Sequence, residues 1–168
     1  MEKLISVPEE RIGFIIGKHG RVKKQIEKTG NVTLKIEDLR IIISGKSLDV
    51  LKAYDVVRAM VLGFPKKEAF ELFSNNMQLI VYELKEVIPD SQMKRVCGRI
   101  IGEKGKSKLK LQEMLNVNLL IKRERIGAIG KPMKLQILKE ALDKLIRGAS
   151  HASVYKHFDR RLLSTEIK

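Results

Sequence analysis

The sequence predicts a mixed α/β (α+β) chain: two tandem copies of a β-α-α-β-β-α unit, a helical connector between them and a helix at the C-terminal end. Three observations predict it. First, the chain aligns with itself without a gap from Gly13 on Gly98 to Lys46 on Lys131. Identical pairs along that stretch include Gly17 with Gly102, Gly20 with Gly105, Asn31 with Asn116, Leu34 with Leu119 and Arg40 with Arg125. Second, the hydrophobic period changes in the same order within each copy. Third, the turn IIGKHG at 15–20 returns as IIGEKG at 100–105. A repeat this long points to duplicated small domains, because solenoid repeats are shorter and more numerous. At 168 residues and 43% hydrophobic content, the chain can support two small cores.

In the first copy LISV alternates as a short strand, and RIGFII reads as a brief helix running into the glycines. Residues 21–29 form a charged helix with Val22 and Ile26 one turn apart on its inner side. NVTLKI alternates strictly and places Val32, Leu34 and Ile36 on one face. RIIIS follows as its hairpin partner after Glu37, Asp38 and Leu39. Ser47 is expected to cap a helix to Val61 that presents Leu48, Leu51, Val57 and Val61 to the sheet.

The second copy repeats the order with the strand QLIVYELKEVI, a helix from Gln92, a helix over 106–115, the strands VNLLIK and RIGAI, and a helix with Pro132 in its first turn. Between the copies, LGFPKKEAFELFSNN starts a helix at Pro65 and needs Ala69, Phe70, Leu72 and Phe73 buried, so it reads as a packed connector. The tail has Val154, Phe158 and Leu162 at helical spacing. The expected boundaries are 1–63, 64–76, 77–148 and 149–168.

Lys and Arg number 34 against 20 Asp and Glu, a net charge of +14, which favours a polyanionic partner, above all nucleic acid. A highly charged surface of the thermophile kind is the competing reading. Residues 77–168 carry 20 basic and 10 acidic side chains against 14 and 10 in 1–76, so the second half is the more anion-seeking. Cys97 is the single cysteine, which excludes a disulfide framework and a thiolate zinc cluster. His151 and His157 lack carboxylate or thiol neighbours at metal-ligand spacing, so no metal and no cofactor is expected. Nothing resembles a signal peptide or a bilayer-spanning stretch, and the expected location is the cytoplasm. No Ser-His-Asp, Cys-His or paired-carboxylate pattern emerges, so the chain is not expected to be an enzyme. Aromatic content of 5% argues against stacking platforms.

Each glycine turn stops one helix and starts the next, with cations beside it: Lys18, His19 and Arg21 in the first copy, Lys104 and Lys106 in the second. Glycines let a backbone approach closely, and a helix start stabilises an anion, which suits a phosphodiester. A nucleotide P-loop needs a different glycine spacing and a hydroxyl. The Gly13–Gly17 spacing known from membrane helices sits here among charges. An ordinary glycine C-cap explains one copy better than two.

The Ile-Ile-Gly-x-x-Gly turn within this element order resembles the type I KH domain, whose GXXG loop clamps about four nucleotides of single-stranded RNA or DNA. The tandem arrangement, the connector LGFPKKEAFELF, the strand LIVYELKEV and the tail SHASVYKHFDRR resemble the archaeal counterparts of the Krr and partner-of-Nob factors of small ribosomal subunit assembly. One departure is that Lys23 and Lys108 stand three places after the loop, where the KH pattern has an apolar residue.

The resemblance implies a groove between the GXXG side and the edge of the second strand. There the second copy has Lys122 and Arg123 where the first has Glu37 and Asp38, so the second domain is the expected primary clamp. Its expected site is Gly102, Glu103, Lys104 and Gly105, a floor of Ile100, Ile101, Leu119 and Ile121, and phosphate-facing Arg99, Lys106, Lys108, Lys122, Arg123 and Arg125. A secondary site comprises Gly17, Lys18, His19, Gly20 and Arg21 in the first domain. The implied function is binding of single-stranded RNA, the 3′ region of small-subunit ribosomal RNA, by a monomer that presents it to a maturation endonuclease. An initiation factor subunit is a further implied partner. The alternatives are a protein-protein adaptor and an RNA-binding accessory of an exosome-like complex.

Overall fold

The computed structural model describes residues 1–166. They divide into two compact units, Met1–Leu79 and the remainder from Ile80 onward. In the first unit β1 (Glu2–Ser6) leads to α1 (Glu9–Ile16), α2 (Arg21–Gly30), β2 (Val32–Glu37), β3 (Arg40–Gly45) and α3 (Ser47–Leu62). The sheet has the order β1-β3-β2 and is antiparallel, with Leu34 opposite Ile43 and Ile36 opposite Ile41. The alternation puts Val32, Leu34, Ile41 and Ile43 into the core with Ile15 and Ile26. Asn31 takes φ 50° to end α2, and Asn116 takes φ 51° at the matching point, which accounts for that identical pair.

The inner face of α3 differs from the expectation. Lys46, in extended conformation, is the N-cap, Ser47 lies inside the helix, and no side chain bonds at the cap. Val50, Ala53, Val56, Val57, Ala59 and Met60 are buried, whereas Leu48 is 74% and Leu51 40% exposed. Positions 50, 53, 57 and 60 follow the 3.6-residue period, and the two leucines fall on the side of the helix away from that stripe.

The connector packs on the first unit. Its helix α4 (Lys66–Phe70) and the 3-10 turn Glu71–Phe73 bury Ala69 and Leu72. The Phe73 ring comes so close to α2 that a Cβ on Gly30 would lie 2.8 Å from it.

The second unit repeats the plan with β4 (Gln78–Glu83), α5 (Asp90–Ile101), α6 (Lys106–Leu115), β5 (Asn118–Lys122), β6 (Arg125–Gly130) and α7 (Pro132–Ile146), and its sheet runs β4-β6-β5. The expected long first strand stops at Glu83, because the chain bends through a 3-10 turn at Leu84–Glu86, where the Leu84 amide donates to the Glu124 carbonyl (2.8 Å). Helix α5 begins at Asp90 with Pro89 as its N-cap, ahead of the expected Gln92. The last helix, α8 (His151–Glu166), is docked: Val154 and Phe158 are fully buried in the second core, beside Leu135, Leu138 and Leu142.

Candidate nucleic-acid interface

The two glycine loops have the same backbone. Gly17 and Gly102 stand at φ 72° and 75°, Gly20 and Gly105 at φ 71° and 75°. The left-handed φ makes glycine the favoured residue at all four. Crowding adds a second reason at the leading glycines alone. A Cβ on Gly17 would lie 2.9 Å from the Val22 amide nitrogen, and one on Gly102 2.8 Å from that of Ser107, whereas Gly20 and Gly105 face open space. The leading glycine thus lets the loop fold onto the next helix, and the trailing one sets its direction.

The glycine amides are already used. Gly102 N donates to Gly98 O (2.9 Å) and Gly105 N to Gly102 O (3.2 Å), with the same pattern at Gly17 and Gly20. The Arg21 and Lys106 amides donate to the carbonyls of Lys18 and Glu103. Among the described residues, the loop amides left for a ligand are those of the middle pairs, Lys18 with His19 and Glu103 with Lys104. All four residues are exposed.

The second hairpin presents Lys122, Arg123 and Arg125 to solvent. Arg125 is paired with Glu83 (3.0 Å), and Lys85 comes within 4.0 Å of Glu124. The hairpin tip approaches α5, where the Cys97 thiol donates to the Arg123 carbonyl (3.6 Å). Burial pushes the Cys97 thiol above its usual pKa, which keeps it protonated. Cys97 stands five residues before Gly102, so the hairpin tip meets the same C-terminal half of α5 that runs into the loop.

Three expected contact residues have other roles. Ile100 is fully buried and Leu119 is 3% exposed, so neither offers a surface to a base. The partly exposed Ile101 and Ile121 remain. Arg99 is half-buried, and its guanidinium donates to the Ala149 carbonyl ahead of α8. Its own carbonyl is 2.8 Å from His151 Nε2, which ties α5 to that helix. Lys106 is exposed and Lys108 half-buried, while Ser107, Leu111 and Leu115 form the buried side of α6.

Other residues the sequence reading did not place here stand out. Gly98, inside α5, is exposed with nothing within 4 Å of where its Cβ would be, and Gly13 in α1 is the same. Glycine inside a helix costs about 1 kcal/mol relative to alanine. Its recurrence at a bare position beside the loop, visible as an identical pair, was the available signal. Tyr155 of α8 reaches the first turn of α6, with its hydroxyl 3.4 Å from Ser107 Oγ and the Lys110 ammonium 4.1 Å from its ring centroid. Helix α8 therefore braces both helices that flank the second loop.

In the first unit the hairpin is less repulsive than its acids suggest. Glu37 pairs with Lys35 (2.6 Å), and that hydrogen bond and charge hold its carboxyl below the usual range. Over 35–40 the hairpin carries two basic and two acidic residues, against three and one over 120–125. The edge strands are bridged alike: the Leu34 amide donates to Glu27 Oε1 (2.8 Å) and the Leu119 amide to Gln112 Oε1 (3.0 Å).

Comparison with known proteins agrees with this architecture. The family model of the KH domain matches residues 2–59, and that of the eukaryotic type KH domain (type I) matches 78–162, through most of α8. The chain belongs to the KH-domain family. It is 36% identical to the KH domain-containing protein MJ0443 of Methanocaldococcus jannaschii over 94% of this chain and 73% of that protein. It is 28% identical to the pre-rRNA-processing protein PNO1 of Phaeosphaeria nodorum over 74% of this chain, spanning 49% of that protein. Two similar solved structures are from Pyrococcus horikoshii OT3. Dim2p alone matches with a TM-score of 0.86 at 34% identity, covering 95% of this chain and 99% of that one. A chain of a complex of a/eIF2alpha, aDim2p and rRNA matches with the same score and identity, covering 96% and 93%. Among the described residues, no helix is long and apolar enough to cross a membrane.

Proposed function

We propose that this chain is an RNA-binding factor of small ribosomal subunit assembly that holds a short single strand of the 3′ region of small-subunit rRNA. The strand lies against the second loop, between the exposed end of α5 and the hairpin cations, and is presented there to a maturation endonuclease that belongs to another protein. The relatives support the setting, since one is named as a pre-rRNA-processing protein and another was solved with rRNA and a/eIF2alpha. The α subunit of the initiation factor is accordingly a proposed partner. The observation that carries the reading is the loop itself: two exposed residues whose amides are left unbonded among the described residues, set by glycines at fixed dihedrals, with the exposed Lys104 and Lys106 in and next to it. The phosphates would lie on the amides of Glu103 and Lys104, with Lys106 and Lys122 at hand, and the bases against Gly98, Ile101 and Ile121. The chain supplies binding and no catalysis.

The test replaces only exposed residues. Substitution at Gly17 or Gly102 would disturb the fold, so we choose Glu103→Asp with Lys104→Asp, and Lys18→Asp with His19→Asp in the first loop. Asp tolerates left-handed backbone, and the paired carboxylates repel phosphate. Titration with a single-stranded oligonucleotide of the rRNA 3′ end should show a loss on the order of a hundredfold for the second pair. For the first pair the loss should be a fewfold. Equal losses would refute the assignment to the second domain, and no loss in either would refute the clamp.

A further inference from the structure

Beside the seam of α7 and α8 the second unit holds a cleft of ≈ 320 Å³, lined by Lys144, Ser150, Ser153, Lys156, His157 and Arg160. Ser153, Lys156, His157 and Arg160 are spaced to share one side of α8, and Lys144 reaches it from α7. His151 and Tyr155, which brace α5 and α6, are on the other side of the helix. This cleft is therefore not part of the groove beside the glycine loop.

Its chemistry is one-signed. No acidic residue lines it. Glu140 is the carboxylate at the seam, and it is occupied. Arg161 donates to both of its oxygens (3.1 and 3.2 Å), and His157 Nε2 lies 2.9 Å from one of them. Lys144, Lys156 and Arg160 form no ion pair among the described residues. The cleft lies at the start of α8, where Ser150 Oγ accepts from the Ser153 amide (3.2 Å). Three unpaired cations, two hydroxyls and a helix start around one concavity offer donors from several directions, the arrangement a phosphate needs for its oxygens. An acidic peptide would call for apolar contact as well, which the polar wall does not offer.

We propose that this cleft is a second phosphate site, which takes a backbone phosphate of the same RNA beyond the few nucleotides held at the glycine loop. It rests on the RNA-binding reading above. The second site adds affinity through effective concentration when one strand spans both sites, and adds nothing for a strand too short to do so.

Lys156 and Arg160 are exposed, so Lys156→Ala with Arg160→Ala leaves the core alone, and an unchanged thermal melt checks that. Two oligonucleotides serve as probes: one of about four nucleotides, the loop's own span, and one roughly three times as long. The double variant should bind the long strand roughly tenfold more weakly, with a salt slope smaller by about 0.7 to 1.4, and the short strand unchanged. An unchanged affinity for the long strand, or equal losses on both, would overturn the proposal. Loss of poly-glutamate binding with RNA binding intact would overturn it in favour of an acidic protein segment. The Glu103→Asp with Lys104→Asp variant, run on the same long strand, separates the two readings: an unaffected affinity there is a failure of the loop, not of the cleft.

Discussion

The two KH domains have the same loop backbone and differ in what surrounds it. Dihedrals of Gly17, His19 and Gly20 agree within 4° with those of Gly102, Lys104 and Gly105. The loop side chains themselves favour the first domain, where Lys18 and Arg21 stand without the acid that Glu103 adds to the second. What favours the second is the hairpin and the extra helix. The first hairpin balances its charge internally through Lys35 and Glu37, whereas the second leaves Lys122 and Arg123 without a carboxylate partner among the described residues. A helix flanks each domain as well, but α4 and the 3-10 turn after it pack on the first unit through Ala69 and Leu72, while α8 grips both helices next to the second loop. On the proposed reading, a binding preference between the duplicated modules would come from the rim and the supports, since glycine geometry alone makes the two loops equivalent.

The largest expected effect tests the rim. Lys122→Glu with Arg123→Asp gives the second hairpin the acids of the first. It should weaken single-strand binding by on the order of tenfold to a hundredfold and reduce the salt slope by about 1.4, for two phosphates no longer neutralised. The reciprocal exchange, Glu37→Lys with Asp38→Arg, should raise the affinity of the first domain, measured with the second loop disabled by Asp. If the first exchange leaves affinity and slope unchanged, the rim does not distinguish the domains.

A smaller effect, of opposite sign in stability and in binding, is expected at the bare helical glycines. Gly98→Leu should stabilise the second domain by about 1 kcal/mol through helix propensity, since a Cβ at this exposed position meets nothing within 4 Å. The same side chain would stand where bases approach and should weaken binding about tenfold or less. Gly13→Leu should stabilise the first domain similarly and cost little affinity. Melting curves and titrations of both variants check this, and undiminished RNA binding by Gly98→Leu would move the groove away from α5.

Much of this was legible in sequence, for local reasons. The glycines and the Asn31 and Asn116 caps are forced by left-handed backbone, and strict alternation marks the buried side of β2. The errors share a tertiary cause. Arg99 reads as a free cation until the Ala149 carbonyl, fifty residues later and just ahead of α8, claims it, and Ile100 and Leu119 read as a floor until the core closes over them. Leu48 and Leu51 look like core on hydrophobicity, yet the helix turns Val50 and Ala53 inward. The bridges from Glu27 and Gln112 to the edge strands carry no periodic signal at all.

The smallest effect concerns how the second domain is held together. Tyr82 on β4 donates its hydroxyl to Asp143 on α7. Burial first, then this hydrogen bond and the carboxylate's charge, push its pKa from 10.0 up to about 12. The folded domain therefore keeps the phenol proton after the unfolded chain has lost it. The stabilisation is fully present below pH 10 and is lost as pH rises from about 10 to about 12, because over that interval the unfolded state binds fewer protons. The effect is modest, since Tyr82 is only half-buried and solvent screens part of it. Hydrogen exchange across that interval should show the second domain loosening with pH in the wild type, and Tyr82→Phe should flatten the dependence while lowering stability at neutral pH. An identical pH dependence in the two proteins would mean that another group controls alkaline loosening, and the link between β4 and α7 would drop out of the contrast between the domains.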